Sequence, residues 1–285
     1  MQHNIVNAIF CIVHELLASS LDLFYAVLCL MNRQKQPNGQ KTKFDDIKPI
    51  SNMSQQDKII VRDVSFRYGA NLVFDRIRLT VSRHSITAIM GPSGQGKSTL
   101  LGLFNRLWDD ISGVSVTGEI EILLDNRWVS PLKKDIPLPL LRRKVGIVFQ
   151  EPNPLPMSIR KNMAFPFKLA GLHDRTDIER RIQQALKQAF LWEEVKDRLD
   201  TSALDLSGGQ KQRLCIARAL VLEPEVLLCD EPTSSLDDHA AGVIEDLLVE
   251  LKSQRTILVV SHNSGQVQKI ADTSFLLQDG RLNPL

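Results

Sequence analysis

The stretch Gly-Pro-Ser-Gly-Gln-Gly-Lys-Ser-Thr at residues 91–99 places a lysine and two hydroxyls directly behind three glycines. The spacing, G-x-x-x-x-G-K-[ST], suits a polyphosphate. Gly91, Gly94 and Gly96, with Pro92, Ser93 and Gln95 between them, let backbone N–H groups close around phosphate oxygens. Lys97 is expected to reach the terminal phosphates, Ser98 to ligate Mg²⁺, and Thr99 to add a hydroxyl near the α-phosphate. A second stretch, Val-Leu-Leu-Cys-Asp-Glu-Pro at 226–232, ends an apolar run in two carboxylates. Asp230 is expected to hold Mg²⁺, mostly through water, and Glu231 to orient or deprotonate an attacking water.

Such groups need a rigid frame. Residues 58–68 alternate apolar and polar and read as a strand, and 71–83 read as a second one after the Gly69 turn. Residues 85–90, 225–230 and 256–262 are short continuous apolar runs, as strands buried on both faces show. Further strands are expected at 118–125 and 144–150, and a last strand with an Asp-Gly turn at 274–282. Helical spacing follows the glycine loop from Leu100 to Trp108, recurs through 158–200 with its clearest amphipathic stretch at 177–191, and returns at 239–254. Strands alternating with helices predict an α/β core carrying a helical block at about 151–220. Both phosphate motifs then lie at the carboxyl ends of parallel strands, where ligands bind in open sheets of this kind.

Composition narrows the partners. A net charge of +2 gives no basic excess for a nucleic acid. The four cysteines, Cys11, Cys29, Cys215 and Cys229, form no C-x-x-C pair and are too sparse for a disulfide framework, which points to a reducing, cytoplasmic setting. Residues 1–57 read as an apolar extension and linker ahead of a domain at 58–285. The stretch 4–31 is strongly apolar but is broken by His14, Glu15 and Asp22, and it lacks the basic start of a secretory signal. Three readings stand: a membrane-surface helix, a degenerate membrane span, or an over-extended start with Met53 as the first residue. Residues 32–57 read as a flexible linker.

The two phosphate motifs alone fit many nucleotide hydrolases. Leu-Ser-Gly-Gly-Gln at 206–210, between them, resembles the signature of the ATP-binding-cassette (ABC) family. Tyr68 resembles the family's adenine-stacking aromatic, Gln150 its Q-loop glutamine, Ser-Ser-Leu-Asp at 234–237 its D-loop with Asp237 as the acid, and His262 its switch histidine. The similarity runs from residue 58 to about 282. It implies a P-loop NTPase core of ABC type with an antiparallel β subdomain and an inserted helical subdomain, binding ATP and Mg²⁺. It also implies a head-to-tail dimer, in which Ser207, Gly208, Gly209 and Gln210 close on ATP held by the second copy. Gln150 is implied to contact Mg²⁺, and His262 to hold the geometry of the attacking water. The implied partners are integral membrane permease subunits and, indirectly, a substrate-binding protein, with the chain peripheral on the cytoplasmic face of the membrane.

Within the family, residues 145–159 resemble the proline-rich Q-loop region of phosphate-import ATPases, with Pro152, Pro154 and Pro156 beside Gln150. That resemblance implies phosphate as cargo, with another anion, a metal or an exporter's cargo as the alternative. Gln95 stands where those importers carry Cys, Ser-Ser-Leu-Asp replaces Ser-Ala-Leu-Asp, and 125–144 lacks their acidic-Gly turn.

Overall fold

The computed structural model describes residues 56–285. The apolar stretch 4–31, Met53 and nearly all of the linker lie outside the described residues.

Two sheets carry the chain. β1 (Asp57–Tyr68) and β2 (Asn71–Ser82) form an antiparallel hairpin about Gly69. β4 (Val114–Leu124) lies along the other side of β1, and β5 (Arg127–Val129) turns back on β4, so this sheet runs β2-β1-β4-β5. The second sheet includes β3 (Ile86–Met90), β6 (Val145–Val148), β7 (Val226–Asp230), β8 (Thr256–Val260), β9 (Thr273–Gln278) and β10 (Arg281–Pro284). Its order is β10-β9-β3-β8-β7-β6, parallel throughout except for the closing β9-β10 hairpin. This is the α/β P-loop architecture that the sequence predicts.

The continuous apolar runs have a physical cause. Leu227, Cys229, Ile257 and Val259 face one hydrophobic core, shared with the helices between β6 and β7. Val226, Leu228, Leu258 and Val260 alternate with them and face a second core, shared with the antiparallel sheet. Every residue of β7 and β8 is therefore buried, and no polar face interrupts the pattern.

The helices are α1 (Lys97–Phe104), α2 (Leu138–Lys144), α3 (Ile159–Ala170), α4 (Arg175–Gln188), α5 (Trp192–Val195), α6 (Gly208–Leu220), α7 (Asp238–Leu251) and α8 (Ser264–Ile270). Helices α3 to α6 all fall between β6 and β7. None in the described residues is long and apolar enough to cross a membrane. Three details differ from expectation. Helix α1 stops at Phe104 rather than Trp108, because Arg106 takes a left-handed φ of 58°. β4 begins at Val114, earlier than the expected 118. The stretch 125–144 folds as a tight turn at Asp125 and Asn126, then β5 and α2. Both turn residues have positive φ, 46° and 60°, so an Asp-Asn pair performs the hairpin turn that a glycine otherwise supplies.

Candidate active site

The glycine loop leaves β3 and opens α1. Gly96 caps that helix with φ 91° and provides no side-chain hydrogen bond to it, and the first turn holds no acid. A Cβ on Gly96 would lie 2.4 Å from Val73 Cγ1, so only glycine fits. The helix therefore presents free N–H groups and an unneutralised positive end, which matches an anion. Lys97, 5 % exposed, folds back to donate to the Pro92 carbonyl at 3.0 Å. Gln95 is tied elsewhere: its Oε1 accepts the Asp279 N–H at 2.9 Å, fastening the loop to the β9-β10 turn.

The carboxyl ends of β6, β7 and β8 converge beside this loop. Glu231 follows Asp230 with a left-handed φ of 43°, a costly conformation for a non-glycine residue. Its Oε1 lies 3.6 Å from Lys97 Nζ. Its Oε2 meets His262 Nδ1 at 2.8 Å and Gln150 Nε2 at 3.4 Å. Three of the expected catalytic residues, Lys97, Gln150 and His262, are thus gathered around the carboxylate of the fourth, Glu231. Asp230 is buried at the strand end. The oxygen donors Ser98, Asp230 and Gln150 suit a hard cation such as Mg²⁺, and among the described residues no cluster of three or more His, Cys, Asp or Glu offers a softer site. Bound there, Mg²⁺ would neutralise phosphate charge. Tyr68 hydrogen-bonds Thr99 of α1, and burial pushes its phenol above the ordinary value of 10 despite that bond. Its ring packs edge-on to Phe66, with centroids 4.8 Å apart.

The signature residues stand apart from this cluster. Ser207 caps α6, accepting from the Gln210 N–H at 3.3 Å, while Gln210 Oε1 accepts from the Ser207 N–H at 3.0 Å. This reciprocal capping box is written in the sequence as S-x-x-Q, a signal the motif reading passed over. Gln210 also donates to Glu194 at 2.7 Å, and Arg213 pairs with the same carboxylate. Gly208 and Gly209 pack near Leu236 and Ala240 around the start of α7, whose N-cap is Asp237. Among the described residues no hydrogen bond or ion pair joins 207–210 to the glycine loop of the same chain. Sequence reasoning also missed Gln212, which is 1 % exposed and donates to the Phe149 carbonyl at 3.2 Å. It links the signature helix to the segment that bears Gln150.

An ABC transporter family profile matches residues 74–234, more than half of the chain. The chain belongs to the ABC transporter family. It resembles the solved structure of CbiO1 from Clostridium perfringens, part of the ABC transporter complex CbiONQ, with 31% identity. The match covers 80% of this chain and 87% of that one, at a TM-score of 0.68. The protein is accordingly an ABC-type ATP-binding subunit with ATPase activity, and catalysis in the family depends on ATP and Mg²⁺.

Beyond the nucleotide cluster, this ABC subunit carries a groove of about 390 Å³ between α2, β6, α3 and α6. Leu140, Ile147, Phe149, Phe165, Leu169 and Leu222 supply apolar wall, with Arg142, Arg143 and Arg218 among its polar groups. The proline-rich segment borders it and is held from within. Asn162, fully buried, accepts from the Leu155 N–H at 2.8 Å and donates to the carbonyls of Leu155, Met157 and Ser158. Arg218 holds the Asn153 carbonyl at 3.1 Å.

Proposed function

We propose that this chain is the ATP-hydrolysing subunit of an ABC importer, acting as a head-to-tail pair with ATP in the seam. The observation that carries the reading is the convergence of Lys97, Gln150 and His262 on Glu231 beside an uncapped helix N-terminus. In this reading Lys97 and the loop N–H groups bind the phosphates, with Ser98 and Asp230 at the cation. Glu231 takes the proton of the attacking water, and His262 fixes its carboxylate. The exposed Ser207–Gln210 cap of α6 offers its N–H groups to the second copy's ATP. ATP then joins the pair and hydrolysis releases it, a switch driven by differential binding. The groove beside Gln150 receives the permease, so the chain works as a peripheral subunit on the cytoplasmic face of a membrane. A substrate-binding protein contributes indirectly.

For cargo we propose an anion or a metal ion. Similarity to CbiO1 supports a transporter other than a phosphate importer. Phosphate remains the second reading, favoured by Pro152, Pro154 and Pro156. The buried Asn162 gives that segment a structural reason for its shape, which weakens it as a mark of cargo. The test is uptake of labelled phosphate and of labelled divalent metals in cells lacking the protein, restored with wild type or Lys97→Ala. Loss of one uptake, restored only by wild type, names the cargo. Export in place of uptake would overturn the importer reading.

A further inference from the structure

We propose that Glu194 is a positioning residue for the signature, fixing which hydrogen-bond donors Ser207, Gly208 and Gly209 present to the second copy's ATP. Glu194 lies on α5, outside every motif that the sequence singles out. Its role rests on the head-to-tail pair proposed above, and adds to that pair a residue that touches no nucleotide.

Polarity passes along one chain of hydrogen bonds. Arg213 on α6 holds the Glu194 carboxylate with both ends of its guanidinium, Nη1 to Oε1 at 2.7 Å and Nη2 to Oε2 at 3.1 Å. The Arg213 side chain is 13% exposed, and it also donates to the Phe190 carbonyl. Burial would raise the Glu194 carboxyl, yet hydrogen bonds from Arg213 and Gln210 and the charges of Arg213 and Arg198 hold it below its ordinary value. The group is therefore ionised at neutral pH and can only accept. Gln210 must turn its Nε2 towards it, and does so at 2.7 Å. That leaves Gln210 Oε1 facing the other way, where it accepts the Ser207 N–H at 3.0 Å. The reversed amide would set oxygen against carboxylate and Nε2 against the Ser207 N–H, so both contacts would repel.

Ser207 completes the relay. Its Oγ accepts the Gln210 N–H at 3.3 Å, which leaves its own proton to be donated outwards. The N–H groups of Gly208 and Gly209 precede the first intrahelical bond, which runs from the Lys211 N–H to the Ser207 carbonyl at 2.8 Å. One hydroxyl and two backbone N–H groups thus form a donor-only face, suited to phosphate oxygens. Donors held in place need no reorganisation when charge is brought to them. Without the Glu194 carboxylate the Gln210 amide is free to turn over, and the Ser207 N–H loses its acceptor.

The test separates the pair from the chain's own ATP site. In the full chain, Glu194→Gln keeps the shape of the side chain and adds an amide donor. Its kcat/KM for ATP should fall about tenfold, as expected for one misdirected hydrogen bond. Carried together with Glu231→Gln, it should raise the ATP concentration needed for dimerisation on gel filtration by about the same factor. A fluorescent ATP analogue should bind the dilute monomer as tightly with Glu194→Gln as without it. Gln210→Glu, which sets two carboxylates face to face, should also be slow. Glu194→Gln combined with Gln210→Glu again sets one amide against one carboxylate, and should turn over faster than either single variant.

Unchanged dimerisation and turnover in Glu194→Gln overturn the proposal and leave the pair standing. So does an equal loss of analogue binding by the monomer, which would make Glu194 a support for the whole fold. A combined variant no faster than Gln210→Glu overturns it too. If Glu231→Gln alone stays monomeric in ATP, the head-to-tail reading itself falls, and the role of Glu194 with it.

Discussion

The ammonium of Lys97 and the carboxylate of Glu231 face each other at 3.6 Å, with side chains only 5% and 11% exposed. The proposed phosphate-binding cation is thus paired with the proposed catalytic acid. In the proposed reading, phosphate and Glu231 share that lysine.

Glu231→Gln is expected to separate these two effects. With the charge removed, Lys97 is released, and ATP should bind several-fold more tightly. Turnover should fall by roughly 10²–10⁴, the usual worth of a positioned base. In ATP the variant should run as a dimer on gel filtration. Turnover at the wild-type rate would remove Glu231 from the water-activating role.

The signature glycines make a second, sharper test, because the structure gives them different tasks. A Cβ at position 209 would stand 2.9 Å from Ala240 Cβ, closer than such atoms come, whereas one at 208 meets Leu236 at an ordinary 3.6 Å. Gly209→Ala should lose about 1–3 kcal/mol of stability through overpacking, and Ala240→Gly should recover most of it. Gly208→Ala should fold normally, so any loss of ATPase activity reports the approach to the second copy's phosphate. Equal destabilisation in urea by both alanines would contradict the packing described above.

How much of this was legible varies with how local the cause is. β3, β7 and β8 read correctly because both faces are buried, leaving an unbroken apolar run. The glycine loop and the carboxylate pair carry their chemistry in residue type and spacing. The stretch 125–144 was not read: β5 has only three residues, α2 begins behind Pro137, and the Asp125-Asn126 turn signal went unused. The ties that set the site's rigidity were beyond the sequence. Gln95 to Asp279, Gln212 to Phe149 and Lys58 to Glu225 join positions far apart in the chain, and such pairings leave no local pattern.

One of those distant ties predicts a pH dependence. Burial would raise the Glu225 carboxyl, but hydrogen bonds from Lys58, the Asp125 N–H and Lys144 outweigh it and hold the group below its usual 4.5. A carboxyl depressed on folding contributes stability in full above its unfolded value and loses it as pH falls through the folded one. Glu225→Gln leaves Lys58, 6% exposed, without its anion. The variant should be about 1–3 kcal/mol less stable than wild type at pH 7. The gap between their urea midpoints should close as pH drops below 4.5. A gap that stays constant down to pH 3 would mean the ion pairs do not carry the effect.

Tyr68 poses the question of how the base is held. Its ring lies against Phe66 at the end of β1, and its hydroxyl bonds Thr99 on the helix that the phosphates address. Stacking and hydrogen bonding can be separated at this one position. Tyr68→Phe keeps the aromatic face and loses the tie to Thr99, so KM for ATP should change by less than about threefold. Tyr68→Ala removes the face, and KM should rise about tenfold with kcat little altered, since a base stacked on an aromatic ring gains about 1–3 kcal/mol. The opposite pattern, with Phe as damaging as Ala, would show that Tyr68 acts by holding Thr99 and α1 in place and that the purine is bound elsewhere.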